Sequence, residues 1–282
     1  MRNFVLLPLY VLLILSCGET VKPEQSGPKI PAGPVKDSPI PDTIYQPNAA
    51  KIETLTKKLE SDPTNTALLI ERGETYFESA QLDQSLADYE AAIKQSGKDA
   101  KIYAGAGNVN LAIGQLKEAK ALFEKAVELD PSLHEGWYGL GIIAYGNGDY
   151  ASAERALTTA IGLAPSDAVY YYYRGSVYAA LGKYGPAQAD FSRYIELRPS
   201  DYLGYFKRAE VFLQTGEYKK ALSDFENVIT ILGEYDEAYL GKGKAYLGLG
   251  MPNEARECFV KAMSLGNPDA AKLMDKMIKE GK

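Results

Sequence analysis

From residue 49 onward the chain repeats itself with a period of 34 residues, and no insertion breaks the register. A turn column runs Pro63, Gly97, Pro131, Pro165, Pro199, Gly233 and Asn267. A glycine column runs Gly114, Gly148, Gly182, Gly216 and Gly250, and another Gly73, Gly107, Gly141, Gly175, Ala209 and Gly243. A small-residue column (Ser85, Ala119, Ala153, Ala187, Ala221, Ala255) is followed by a bulky one (Tyr89, Phe123, Leu157, Phe191, Phe225, Phe259). A fixed period of this kind confines the chain to a row of similar supersecondary units, none of which buries its apolar face alone. Within one period, KEAKALFEKAVEL has apolar residues at helical spacing, and KIYAGAGNVNLAI before Gly114 reads as a second helix. Gly114 suits a left-handed cap between the two, and Pro131 cannot continue a helix. Gly107 and Ala119 let the helices approach closely, and Phe123 fills the space beside them. The pattern predicts an all-α fold of one helical hairpin per period.

These columns, with Leu69, Tyr103, Trp137, Tyr171, Tyr205 and Tyr239 early in each first helix, match the signature of the tetratricopeptide repeat family. The resemblance spans residues 66–267. It implies a right-handed superhelical solenoid of six hairpins at 66–99, 100–133, 134–167, 168–201, 202–235 and 236–269, within an array over 49–282. KIETLTKKLE (within 49–60) and AAKLMDKMIKE (within 269–280) are amphipathic and suit capping helices for the apolar ends. Tyr194 and Val228 are oversized in a column otherwise alanine, Ala209 replaces a glycine, and Gly233 replaces a turn proline. Compensated repacking around the fourth and fifth hairpins is expected.

The start of the chain is of another kind. Residues 1–16 have Arg2, then an apolar run from Phe4 to Leu15, about a dozen residues where a membrane-spanning helix needs about 20. The run suits a secretory signal. It ends Ile14-Leu15-Ser16-Cys17, which resembles the lipobox of bacterial lipoproteins, with Leu15 larger than usual at its place. The resemblance implies lipidation of Cys17, hence membrane attachment through an N-terminal lipid. Gly18 lacks the aspartate that resembles an inner-membrane retention signal, so the outer membrane, periplasmic side, is the expectation. Residues 17–48 carry seven prolines (23, 28, 31, 34, 39, 41, 47) and no apolar periodicity, which predicts an extended tether rather than a core.

A charged column suggests ion pairs. Arg72, Arg174 and Arg208 are each followed sixteen residues later by Asp88, Asp190 and Asp224. The second and third hairpins lack both members, having Ala106 with Leu122 and Leu140 with Ala156. Residues that come and go together read as Arg–Asp pairs joining the two helices of a hairpin.

In the family, first helices line a concave groove, and the residue after each early aromatic faces it. By that resemblance Tyr138, Tyr172, Phe206 and Leu240 face a partner, joined one and two turns on by Ile142, Tyr145 and Glu210. An aromatic groove edged with acids (Glu74, Glu135, Glu210, Glu237) reads as a protein-binding surface. The lysines and asparagines of the family's carboxylate clamp for acidic C-termini are missing, since Ile70, Glu74, Ala104 and Glu135 stand there and only Asn108 fits. A net charge of −6 without a basic run argues against nucleic acid. His134 is the single histidine, and the cysteines are Cys17 and Cys258, so neither a zinc set nor a nucleophile–histidine–acid arrangement is visible, and no cofactor is expected. The sequence leaves the oligomeric state open. Function therefore points to a membrane-tethered scaffold or adaptor in the bacterial envelope that binds segments of other proteins. Architecture of this size resembles pilotins of pilus secretins and adaptors of envelope proteases. A small-ligand or glycan receptor using Trp137 and Tyr138 is the alternative, and an enzyme with an unrecognised site comes last.

Overall fold

The computed structural model describes residues 48–279, so Cys17, the signal and the tether up to residue 47 lie outside the described residues. Among the described residues there are fourteen helices and no strand. They are α1 (Ala49–Ser61), α2 (Thr66–Glu78), α3 (Leu82–Gln95), α4 (Ala100–Ala112), α5 (Leu116–Leu129), α6 (His134–Gly146), α7 (Tyr150–Leu163), α8 (Ala168–Ala180), α9 (Tyr184–Leu197), α10 (Tyr202–Thr215), α11 (Tyr218–Leu232), α12 (Asp236–Gly248), α13 (Pro252–Ser264) and α14 (Pro268–Lys279). From α2 to α13, corresponding helices begin 34 residues apart without exception. The chain divides into two compact units, one ending at Gly148 and the other beginning at Asp149.

In the first unit α2 pairs with α3 and α4 with α5, while α3 packs on α4, α5 on α6, and α1 covers α2. The first helices α2, α4 and α6 also touch in sequence. The core of this stack is a ring held between two backbones. Phe123 is fully buried, with Gly107 of its own hairpin on one side and Gly139 of the next first helix on the other. A Cβ would lie 2.8 Å from its ring at Gly107 and 2.4 Å at Gly139, closer than carbon atoms approach. Tyr89 is pressed as closely by Gly105, where a Cβ would lie 2.3 Å from its ring, and more loosely by Gly73, at 3.3 Å. At the front, Leu55 and Leu59 of α1 are buried, with Leu59 in the same cluster as Leu69 and Tyr89.

The ends of the helices explain two further columns. The early aromatic reaches back six residues to the turn: Tyr103 Oη donates to the Gly97 carbonyl at 3.2 Å, and Trp137 Nε1 to that of Pro131 at 2.9 Å. The turn inside each hairpin takes a left-handed residue, such as Gly114 at φ 82°. In the first hairpin that place belongs to Ala80, at φ 57°, where the Cβ crowds the backbone.

In the second unit α8 pairs with α9, α10 with α11 and α12 with α13. Successive hairpins meet through α9–α10 and α11–α12, α7 packs on α8, and α14 closes on α13 by burying Ala270 and Met277. Phe225 presses on Gly241 and Phe259 on Gly243 as in the first unit. The oversized Tyr194 is completely buried. Gly204 on α10 makes room for it, since a Cβ there would stand 2.6 Å from the Tyr194 ring. Its hydroxyl donates to Asp201 Oδ2 at 2.5 Å, and Asp201 also accepts the Leu203 N–H at the start of α10. A tyrosine thus replaces alanine because a glycine across the seam returns the volume and a carboxylate satisfies the hydroxyl.

Candidate interaction surface

The three Arg–Asp pairs are bidentate. Arg174 donates from Nε and Nη2 to the two Asp190 oxygens, both at 2.8 Å. Arg208 and Asp224 repeat this at 2.8 Å, and Arg72 and Asp88 at 2.7 Å. The carboxylates are buried, and the hydrogen bonds that Arg174 donates to Asp190 hold its guanidinium above its ordinary pKa. Each arginine has a third partner that sequence reasoning missed. Arg72 Nη1 reaches Thr56 Oγ1 at 3.1 Å, Arg174 reaches Thr158 at 3.3 Å, and Arg208 reaches Ser192 Oγ at 2.9 Å. One guanidinium therefore ties the preceding second helix, its own first helix and its own second helix together. The signal was present: sixteen residues before each arginine stands a hydroxyl, and at the same place in hairpins lacking the arginine stand Glu90 and Glu124. In the sixth hairpin Lys242 takes the arginine's place and bonds Glu226 of α11 at 3.2 Å, while half-buried Cys258 stands where the aspartate would be. These side chains are spent on joining helices.

The residues expected to face a partner divide into two groups. Tyr138, Ile142, Phe206 and Leu240 are buried, at 8, 1, 5 and 4 % exposure, which corrects the expectation that they form an open surface. The reason is visible at Phe206: its ring stands edge-on to Phe225 and to Tyr235, with centroids 5.8 Å away in each case. At Tyr172 and Phe206 the position after the early aromatic packs on the second helix of its own hairpin, and Tyr235, just before α12, closes over Phe206. Tyr172 is half-buried, with its ring 6.0 Å from Phe191 and 5.4 Å from Tyr194, so most of it is core. Tyr145 and Glu210 are half-buried as well. Trp137 has its N–H committed to the Pro131 carbonyl, which removes its polar handle from a sugar-stacking role.

The second unit carries a shallow cleft of about 290 Å³ lined by Glu210, Leu213 and Gln214 of α10, Tyr218 of α11 and Lys244 of α12. Glu210 is partly neutralised by Lys207 at 2.8 Å. Glu237 on the same helix as Lys244 is pushed above the usual carboxylate range, first by burial and then by Asp236. Half-buried Tyr202 and Tyr235 stack edge-on at 5.7 Å beside Phe206. In the first unit Glu74 on α2 is likewise raised, chiefly by burial. Sequence reasoning found Glu74, Glu210 and Glu237 but not Gln214 or Tyr218, although Tyr218 stands in a recurring apolar column with Leu82, Leu116, Tyr150 and Tyr184. Among the described residues no three His, Cys, Asp or Glu side chains stand together as a metal site. No described helix is long and apolar enough to cross a membrane.

Family models described as tetratricopeptide repeat match residues 70–134, 138–187, 176–239 and 236–266. The chain belongs to the tetratricopeptide repeat family. Members of the family mediate protein–protein interaction and are typically scaffolds rather than catalysts. Among solved structures, the repeat array is similar to YrrB, described as a tetratricopeptide repeat protein with an unusual peptide-binding site, at a TM-score of 0.61 and 24% identity over 67% of this chain and 97% of that one. It is similar to MamA at 0.56 and 28% over 60% and 92%. It is also similar to PilF of Pseudomonas aeruginosa at 0.65 and 17% over 77% and 97%, a likeness of fold. A search of curated proteins gives no match.

Proposed function

We propose that this tetratricopeptide repeat array is a lipid-anchored adaptor of the bacterial cell envelope that docks segments of partner proteins on its first-helix face. The carrying observation is the α10–α12 cleft. There Leu213 and Tyr218 give an apolar floor, while Glu210, Gln214 and Lys244 offer both charge signs and an amide at the edge. That mixture suits the side chains and backbone of an extended or helical peptide. Leu213 and Tyr218 also pack against the core beneath, so the floor is fixed while the polar groups at the edge stay open. The description of YrrB as peptide-binding is in keeping with this reading. The array over 49–282 would stand off the membrane on the residue 17–48 tether, with Cys17 lipidated and the outer membrane, facing the periplasm, as its place. An anchor of that sort suits a domain that must find membrane-bound partners, because acyl chains supply about 0.8 kcal/mol per buried CH₂.

A photo-crosslinking amino acid at Gln214, compared with one at exposed Lys117 on α5, tests the docking face in intact cells. A defined protein should be captured from position 214 and not from 117. Equal capture at both, or capture only at 117, refutes the cleft as the working surface. Cys17→Ala should release the protein from the membrane fraction and lower capture at 214, and unchanged fractionation refutes the anchor.

A further inference from the structure

Asn147 closes α6 and is followed by Gly148, the one Asn–Gly pair in the sequence. The other hairpins place Ser79, Ile113, Leu181, Thr215 and Leu249 at this position. Residues 146–149 are all exposed. A Cβ added at Gly146 or Gly148 would meet nothing within 4 Å, whereas one at Gly248, three repeats on from Gly146, would strike the Tyr218 ring at 2.4 Å. At Gly146 and Gly148 the last turn of α6 thus faces open space, and backbone bonds close it. These are Asn147 N–H to the Ile143 carbonyl at 3.1 Å and Gly148 N–H to the Tyr145 carbonyl at 3.0 Å. The helix around them is weak: it carries Gly136, Gly139, Gly141 and Gly146, and its N-cap Leu133 supplies no side-chain bond.

We infer that Asn147 is a site of spontaneous deamidation through the Gly148 amide, gated by opening of the last turn of α6. In the closed turn Asn147 has φ −83° and ψ −1°, and the Gly148 N–H is engaged by Tyr145, so the nitrogen does not reach the side chain. Once the turn opens, glycine has no Cβ to obstruct the approach. Hydroxide takes the Gly148 amide proton, and the nitrogen attacks Cγ of Asn147. The new N–Cγ bond forms as the Cγ–Nδ2 bond breaks, and Nδ2 leaves as ammonia with a proton from water. Water then opens the cyclic imide at one carbonyl or the other, giving aspartate or isoaspartate, with no change of oxidation state. Either product puts a carboxylate at the C-terminal end of α6, where the helix dipole disfavours it, and isoaspartate also lengthens the main chain by one atom. The end of α6 becomes weaker with age.

The folded full-length protein, incubated in mildly alkaline buffer and peptide-mapped over time, tests this. Asn147 should convert ahead of Asn253, which is exposed but followed by Glu254, and isoaspartate should accumulate in the Asn147 peptide. Gly146→Ala leaves the Asn–Gly pair intact and meets no neighbour. It should slow conversion about fivefold in the folded chain by strengthening the last turn, and leave the rate in urea unchanged. Two results overturn the inference: Asn147 unconverted in the folded chain while it converts in urea, or an unchanged folded rate in Gly146→Ala.

Discussion

Removing Asp190 tests how much of the array's cohesion depends on a single guanidinium. Asp190 is 5 % exposed and accepts two bonds from Arg174 at 2.8 Å. Asp190→Ala leaves a half-buried cation with Thr158 at 3.3 Å and the rings of Tyr171 and Tyr178, but no carboxylate. The loss should be about 1–3 kcal/mol, because the cost is that of a desolvated charge without its carboxylate rather than of an exposed ion pair. Arg174→Leu together with Asp190→Leu should recover part of it, since the hairpins with Leu140, Ala156 and Leu122 stack without a pair. The coupling from the double-mutant cycle should reach about 1–2 kcal/mol. Urea unfolding gives the totals, but repeat arrays do not always melt as one unit, so hydrogen exchange in α8 and α9 should be read alongside. The third contact orders the hydroxyls: Ser192→Ala, at 2.9 Å from Arg208, should cost more than Thr158→Ala at 3.3 Å, by up to about 1 kcal/mol. A coupling below about 0.5 kcal/mol, the range of exposed pairs, would refute the view that these arginines clamp three helices.

Two other outcomes follow from the packing. Ala80→Gly should raise stability by about 0.5–1 kcal/mol, read as a higher melting temperature, because Ala80 holds φ 57° at a place where the other hairpins have glycine; no gain, or a loss, would mean that the turn is not strained. Gly204→Ala should destabilise by about 1–3 kcal/mol through the 2.6 Å approach to Tyr194, and Tyr194→Leu in the same chain should return part of that loss; purely additive effects would show that the two do not share one volume.

The hairpins were legible because their requirements recur. A ring that needs a glycine, a turn that needs a left-handed residue and a guanidinium that needs a carboxylate each write the same letters every 34 residues. The surface was not legible for the complementary reason. Residues at one column are equivalent in backbone but not in what covers them, so Ile70 and Tyr172 are half-buried while Tyr138, Phe206 and Leu240 are buried. Phe206 shows the cause: Tyr235, which replaces the capping Asn or Asp found at Asn65, Asp99, Asp167 and Asp201, sits against it and turns an expected contact residue into core. The glycine column facing each ring from the next hairpin was hidden likewise. Gly105, Gly139 and Gly241 form it, but Tyr173 and Lys207 interrupt it. Tyr173 stands one period beyond Gly139, and the preceding ring column has shrunk there to Leu157, so bulk has moved from one helix to the other. Lys207 instead turns its amine to Glu210, at 2.8 Å, on the edge of the open cleft. Each break in the column is thus a place where side-chain volume or charge is reassigned. In the second unit one of those breaks places its charge beside Glu210, at the edge of the α10–α12 cleft.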